Sequence, residues 1–297
     1  MNNDLKSPLN YTGGKFKLLN QIIPLFPQKT VNFVDLFAGG CNVSLNIKAE
    51  KIICNDNLKF LIDLYKKFQT LSYCDILNYI EKQVIQFELS LTNEEGYKKI
   101  RAFYNKEKNP LDLFILTAFS FNHQIRFNNQ HQFNTPFGRE RSCFNETMRL
   151  KLFQFVDKIQ NTNIEFTCFD FDKFDLSFLT ENDFVYCDPP YLISLATYND
   201  GKRGFTGWGE YEEIKLLKLL DNLHQKNIKF ALSNILEHKA KTNSILKKWL
   251  EKNSFLNINY INAHYNNANY QSLIKEDNKT IELLVTNYKP ALKTLFD

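Results

Sequence analysis

No apolar run in this chain is long enough to cross a bilayer. The longest, "LDLFILTAF" at 111–119, carries an aspartate and falls well short of the roughly 20 residues a spanning helix needs. The first residues, "MNNDLKSPLNY", lack a basic stretch followed by an apolar one, so no secretory leader or membrane attachment is expected, and the cytoplasm is the expected setting. The six cysteines (41, 54, 74, 143, 168 and 187) form no C-x-x-C pair and have no nearby histidine pair. That argues against a zinc site or a disulfide framework, so no metal is expected and the thiols read as buried and reduced. The dinucleotide fingerprint G-x-G-x-x-G is absent, which counts against an NAD enzyme. Internal repeats and low-complexity tracts are absent too. What remains is ordinary for a globular protein with one large core or two modest ones: 297 residues, 43% hydrophobic and 24% charged.

Net charge is only +4, but it is unevenly placed. Between Lys98 and Lys151 stand ten Lys and Arg against four Asp and Glu, a local +6 that leaves the remainder of the chain at −2. This block carries Arg126, Arg139, Arg141 and Arg149 among asparagines and glutamines. It suits a polyanion, and it equally suits a solvated helical face; charge alone leaves both open.

Five short segments are apolar, rich in β-branched or aromatic residues, and end in a small or acidic residue: "VNFVDLF" (31–37), "KIICND" (51–56), "IEFTCFD" (164–170), "DFVYCD" (183–188) and "IKFALSN" (228–234). Segments after most of them have helical spacing, for example "EYEEIKLLKLLDNLHQK" at 210–226. The alternation predicts an α/β fold, a doubly wound Rossmann-like sheet that binds ligands at the carboxyl ends of its strands. "LNINYINAHY" and "KTIELLVTNY" read as a closing antiparallel pair. About a hundred residues separate the second and third strands, too many for a crossover helix. An inserted, mostly helical domain is expected over 61–145, between two parts of the sheet domain at 1–60 and 146–297.

Four strand ends then converge on one ligand. After the first comes "DLFAGGCNVSLN", where Gly39 and Gly40 permit close backbone approach and the following residues can open a helix; a simple turn would look the same. Asp56, ending the second strand some twenty residues after the glycines, stands where an acid commonly accepts the ribose hydroxyls of an adenosine-containing cofactor. Asp170 and Phe171 offer a carboxylate and a ring suited to an adenine's edge and face. Each acid taken alone could merely cap a helix. The fourth strand ends in "DPPY", where two prolines that cannot donate to a ladder force the chain out of the sheet. The stiff corner would hold Asp188, the carbonyls of Pro189 and Pro190 and the Tyr191 ring in one arrangement.

With "PLNYTGGKFKLL" near the start, these motifs resemble the Dam-type, D12 class of DNA adenine-N6 methyltransferases, S-adenosylmethionine-dependent enzymes of the α subgroup. The resemblance covers nearly the whole chain. It implies a methyltransferase sheet with an inserted DNA-recognition domain and double-stranded DNA as substrate. It implies cofactor contacts from Tyr11 and Lys15 of the amino-terminal motif, from Asp35, Phe37, Ala38, Gly39 and Gly40, and from Asp56, Asp170, Phe171 and Asp188. The family's glycine motif is often F-x-G-x-G, and here Cys41 takes the place of its second glycine. Asp188 to Tyr191 would hold the target base.

The chemistry asks for such a corner independently. An exocyclic amino group is a poor nucleophile because its lone pair is delocalised into the purine ring. Asp188 and the Pro189 carbonyl can each accept one N–H bond and draw the nitrogen toward a tetrahedral shape, while Tyr191 stacks on the base. The target nitrogen is inside a duplex, so the base must be flipped out. Tyr198 and Asn199 follow as lid or base contacts. In the insert, "NHQIRFNNQHQFNTPFGRER" (122–141) reads as a β-hairpin whose tip is rich in the side chains that pair with purine edges. By resemblance Arg126, Asn128, Pro136 and Arg139 are its specificity or intercalation residues, with Arg141 beside them. The expected target is a short palindrome with an A-T step, GATC first and CATG second, and a restriction endonuclease is a possible partner. The competing readings are a DNA-binding protein that keeps the fold without catalysis, and an RNA or protein-glutamine methyltransferase, whose strand-end corner usually begins with Asn.

Overall fold

A computed structural model of the chain describes residues 4–193, 207–262 and 280–290. After a short helix α1 (Leu19–Ile22), strands β1 (Asn32–Asp35) and β2 (Lys51–Asn55) lie parallel, Phe33 beside Ile52 and Asp35 beside Cys54. Five helices follow: α2 (Lys59–Thr70), α3 (Tyr73–Gln86), α4 (Glu94–Glu107), α5 (Pro110–Phe119) and α6 (Glu146–Gln160). Then come β3 (Ile164–Thr167), β4 (Phe184–Cys187), α7 (Glu210–Gln225), β5 (Lys229–His238), β6 (Lys241–Thr242), α8 (Ser244–Lys252), β7 (Asn257–Ile261) and β8 (Thr280–Thr286). Local chemistry sets the helix starts. Ser72, Asn93, Asn145 and Asn243 each accept a backbone N–H three residues on, and Asn109 accepts that of Leu111 with Pro110 at the first helical position.

The sheet order is β3-β2-β1-β4-β5-β8-β7, with the short β6 paired to β5. Strands β1 to β5 run parallel along it, and β8 lies antiparallel between β5 and β7, the closing pair read from the sequence. Alternation along each strand covers both faces. Phe33, Ile52, Phe184 and Tyr186 join one core with residues of α2, α5 and α6, while Val34, Ile53, Val185, Phe230 and Leu232 join another with residues of α7 and α8. The chain moves outward from β1 through β2 to β3 and then returns to place β4 on the other side of β1. This reversal opens a crevice at the carboxyl ends of β1 and β4, where doubly wound sheets bind their ligands.

Helices α2 to α6 extend the first core. Tyr65 of α2 lies 5.2 Å from Phe166 of β3 and 5.3 Å from Phe155 of α6, and Phe68 meets Phe114 of α5 at 5.6 Å, ring centre to ring centre. Three expectations need correction. The glycine loop opens only a three-residue 3-10 turn, Ser44–Asn46, because Cys41 takes the left-handed conformation (φ 58°) and the Asn42 and Asn46 side chains bond the segment at Leu5 and Ser7. The hairpin read at 122–141 is closed by one antiparallel bridge, Phe127 with Phe133, and a second joins its far arm to the segment ahead of it, Phe137 with Ser120; neither extends into a continuous strand. Pro136 has no N–H for a ladder, and Phe127 and Phe133 turn inward against Phe60 and Tyr104. Finally, the thiols are not uniformly buried: Cys41, Cys54 and Cys187 are, Cys143 and Cys168 are half-buried, and Cys74 is exposed in the first turn of α3.

Candidate active site

The crevice holds a cavity of about 730 Å³. Tyr11, Lys15, Asp35, Phe37, Ala38, Gly39, Gly40, Asp56, Asp170 and Phe171 all border it, and so does the whole corner of Asp188, Pro189, Pro190 and Tyr191. Residues up to 180 positions apart thus share one space, because every one of them stands on a strand end or the segment that packs over it.

The glycine loop is held from both sides. Gly39 has φ +45°, its N–H donates to Asp56 Oδ2 at 2.9 Å, and its carbonyl accepts from the buried Tyr65 hydroxyl at 2.7 Å. A Cβ there would lie 2.9 Å from the Tyr11 ring, which explains why the loop and the amino-terminal motif can touch only through a glycine.

The three strand-end acids do different things. Asp56 is 8% exposed and spends both oxygens on backbone donors, Oδ2 on Gly39 and Oδ1 on Leu58 N–H at 2.9 Å, just ahead of α2. Burial still pushes its carboxyl up. Asp170 sits in the turn after β3, paired with Lys173 at 2.8 Å and reached by Asn57 Nδ2 at 3.4 Å, and Lys173 holds its carboxyl below the ordinary range. Asp35 is 1% exposed. Its Oδ2 takes a short hydrogen bond from Ser44, while no partner reaches Oδ1. Burial first, with the charges of Asp188 and Asp56 added, pushes its carboxyl from the ordinary 3.8 to about 7.

At the corner, the ladder with β5 stops at Cys187 and Leu232, and the prolines follow. Lys15 Nζ lies 2.8 Å from Asp188 Oδ1 and 4.8 Å from the centre of the Tyr191 ring. The Tyr191 hydroxyl faces two carboxylates, Asp188 Oδ1 at 3.0 Å and Glu282 Oε1 of β8 at 3.2 Å. Burial raises the Asp188 carboxyl above its ordinary value, and Lys15 opposes the shift.

The insert residues lie elsewhere. Pro136, Arg139 and Arg141 are exposed; Arg139 pairs with Glu94 at 2.9 Å and the Arg141 guanidinium lies over Phe121 at 5.3 Å. Arg126 is half-buried on the inward arm of the loop. The Asn128 carbonyl oxygen accepts from the backbone N–H groups of Gln130 and Gln132, so this side chain shapes the tip. Arg149 is taken up by Glu81, and Lys108 donates to the His131 carbonyl at 2.7 Å, so neither serves as a plain solvated charge. Tyr198 and Asn199 lie outside the described residues.

Sequence reasoning missed three neighbours. Glu282 hides in the apolar pattern of β8. Trp208 packs 5.6 Å from Phe37 and 5.4 Å from Phe171 on the cavity wall, its indole N–H donating to the buried Glu213. Asn129, at the tip of the inserted loop, also borders the cavity and brings the insert to the same space as Asp188. Only the singular acid between apolar strand residues, in the case of Glu282, was a signal available beforehand.

A family model described as D12 class N6 adenine-specific DNA methyltransferase matches residues 11–271. The chain belongs to this family. Among curated proteins it is 50% identical over 285 residues to Modification methylase StsI of Streptococcus sanguinis, covering 96% of this chain and 43% of that protein. It is 46% identical over 287 residues to Type II methyltransferase M.FokI of Planomicrobium okeanokoites, covering 97% of this chain and 43% of that one. The chain therefore spans less than half the length of these two relatives. A DNA adenine methylase of Haemophilus influenzae is 32% identical over 238 residues, 76% of this chain and 78% of its own length. The Cys41 backbone, at φ 58°, sits in the left-handed region where glycine meets no steric penalty. Among the described residues no helix is long and apolar enough to cross a membrane, and no group of His, Cys, Asp and Glu could hold a metal ion.

Proposed function

We propose that the chain methylates the N6 amino group of an adenine in double-stranded DNA with S-adenosylmethionine as donor. The observation that carries this reading is the Asp188–Tyr191 corner, ion-paired to Lys15, opening on the same cavity as the glycine loop and the acids of β1, β2 and β3.

The residues fit that cofactor. The buried Asp35 oxygen without a partner suits a cationic group, and the carboxyl, pushed up to about 7 chiefly by burial, would ionise beside one. Asp56 keeps acceptor capacity for hydroxyls beyond its two backbone donors, and Phe37, Phe171 and Trp208 form an apolar wall for an adenine ring. When bound, S-adenosylmethionine supplies an electrophilic methyl on a sulfonium. The protein's part is to present the nucleophile. Asp188 and the Pro189 carbonyl accept the two N–H bonds of the flipped adenine, so the nitrogen lone pair is released from the ring. Tyr191 covers the base, and its stacking offsets the few kcal/mol that flipping costs. Asp188 must be ionised to act, so methyl transfer falls as pH drops through a pKa held above the ordinary carboxylate value by burial.

In this reading residues 1–60 and 146–297 form the catalytic domain, and 61–145 reads the DNA sequence. Arg126→Ala and Arg139→Ala are expected to cost about 1–3 kcal/mol of discrimination between cognate and one-base-altered duplexes. Lys106→Ala, at an exposed side chain, should lower the salt slope of binding with discrimination unchanged. Competition binding across salt concentrations separates the two effects. Asp56→Ala is expected to weaken cofactor affinity by about 1–3 kcal/mol and also to lower the melting temperature, since Gly39 and Leu58 lose their acceptor. Calorimetry beside a thermal melt reads both, and unchanged affinity would remove Asp56 from the site.

The target proposed is a short palindrome, GATC first and CATG second, acted on in the cytoplasm, with a restriction endonuclease as companion. Methylation-sensitive sequencing of DNA from cells expressing the chain tests it directly. Modified adenine at one motif on both strands supports the reading, modification of a single strand overturns the palindrome, and the lack of any methyl transfer leaves a DNA-binding protein on a methyltransferase fold.

A further inference from the structure

Glu282 is a buried carboxylate in an otherwise apolar stretch of strand. It lies inside β8, 1% exposed, and the residues that follow, Leu283, Leu284 and Val285, are all fully buried. A buried acid is costly unless paired, and an apolar residue of similar size serves a core better. Yet its Oε1 stands 3.2 Å from the Tyr191 hydroxyl and 3.7 Å from Lys15 Nζ, the same two donors that engage Asp188 Oδ1 at 3.0 Å and 2.8 Å. The Tyr191 hydroxyl has one proton and two carboxylates within hydrogen-bond reach, so either can accept it. Lys15, 3% exposed in its side chain, is likewise flanked by both.

We propose that Glu282 is a positioning residue for methyl transfer: it takes over the Tyr191 hydroxyl and shares the Lys15 ammonium when Asp188 turns to accept the amino group of the flipped base. This rests on the assignment of the Asp188 corner under Proposed function. Without Glu282, the Tyr191 hydroxyl and the Lys15 ammonium, which also donates to the Gly13 carbonyl at 3.2 Å, would each lose a carboxylate as Asp188 engages the base, a penalty charged to the catalytic step. With it, the donors change partners at little cost and keep the Tyr191 ring and the ammonium in place.

The charge of Glu282 also marks its presence. Among the described residues, the titratable groups that face Asp188 are Lys15 ahead of α1, Asp35 of β1, Tyr186 and Cys187 of β4, Tyr191, and Glu282 of β8. Lys15 favours the ionised form of Asp188, and Glu282 opposes it. Removing only the charge of Glu282 therefore moves the acid limb of the rate to lower pH, which loss of mere packing would not do.

The experiment is single-turnover methylation from acid to neutral pH, on a duplex carrying the site mapped by sequencing. Cofactor affinity by calorimetry and base insertion by 2-aminopurine fluorescence are measured alongside. Glu282→Gln, which keeps an acceptor for the hydroxyl but not the charge, is expected to be about tenfold slower, with its acid limb at lower pH and cofactor affinity unchanged. Glu282→Asp keeps the charge and withdraws the carboxylate by one methylene; it should be slowed, with the wild-type limb and weaker base insertion. If Glu282→Gln does not fold, Glu282→Asp decides: slowing with the wild-type limb supports the inference, and a wild-type rate overturns it. A Glu282→Gln enzyme with wild-type rate and limb overturns the inference while leaving the site standing. A folded, cofactor-binding wild type that transfers no methyl overturns the assignment of the corner and the inference with it.

Discussion

Asp188→Ala is expected to reduce methyl transfer by about 10²–10³-fold while cofactor affinity stays within a few-fold of wild type, because the lost acceptor acts chiefly on the transition state. The structure sharpens the reason. Asp188 meets Lys15 at 2.8 Å in a largely buried setting that strengthens their charge interaction, so its loss removes an acceptor preorganised at the edge of the cavity. Asp188→Asn retains a carbonyl oxygen but not the charge that roughly doubles a hydrogen bond, and should fall between the two. Tyr191→Ala should be severe because the stacking ring is gone. Single-turnover methylation with calorimetry in parallel reads all three, and normal turnover by Asp188→Ala would reduce the proline corner to a strand terminator.

Gly39→Ala should have the largest effect on the cofactor. Alanine at φ +45° costs about 1–2 kcal/mol, and its methyl would sit 2.9 Å from the Tyr11 ring. Neither side can yield cheaply, since Gly39 is tied to Asp56 through its N–H and to Tyr65 through its carbonyl. Expected results are a cofactor affinity at least about tenfold weaker and a melting temperature lower by about 2–4 °C per kcal/mol lost. Gly40→Ala, with φ outside the left-handed region and a nearest Tyr11 contact of 3.1 Å, should be milder. Equal affinity for wild type and Gly39→Ala would mean that the loop does not border the ligand.

Much of this was legible from residue order because local physics carried it. The strand segments are short, continuous apolar runs, as strands buried on both faces are, and each was found at its place; the prolines at 189 and 190 cannot extend the β4 ladder. Asp35, Asp56, Asp170 and Asp188 could be grouped without coordinates, because parallel strands of one doubly wound sheet deliver their carboxyl ends to one edge. The inserted loop was harder. Its alternating arms suggest a ribbon, but Phe127 and Phe133 are consumed in anchoring it to Phe60 and Tyr104, and that competition depends on what α2 and α4 present.

The sequence by itself determined the class of fold, the ends of the strands, the glycine loop and the corner, since each depends on residues near one another in the chain. Only the tertiary structure decided what those groups meet. It brought Lys15 and Glu282, 267 positions apart, to within 3.7 Å of each other beside Tyr191, committed both oxygens of Asp56 to backbone donors, left one oxygen of Asp35 unpartnered, and carried Asn129 from the insert to the cavity. The reason is range: turn chemistry and periodicity act over a few residues, whereas the charge state and accessibility of a buried carboxylate are set by whichever distant groups the packing of the sheet delivers to it.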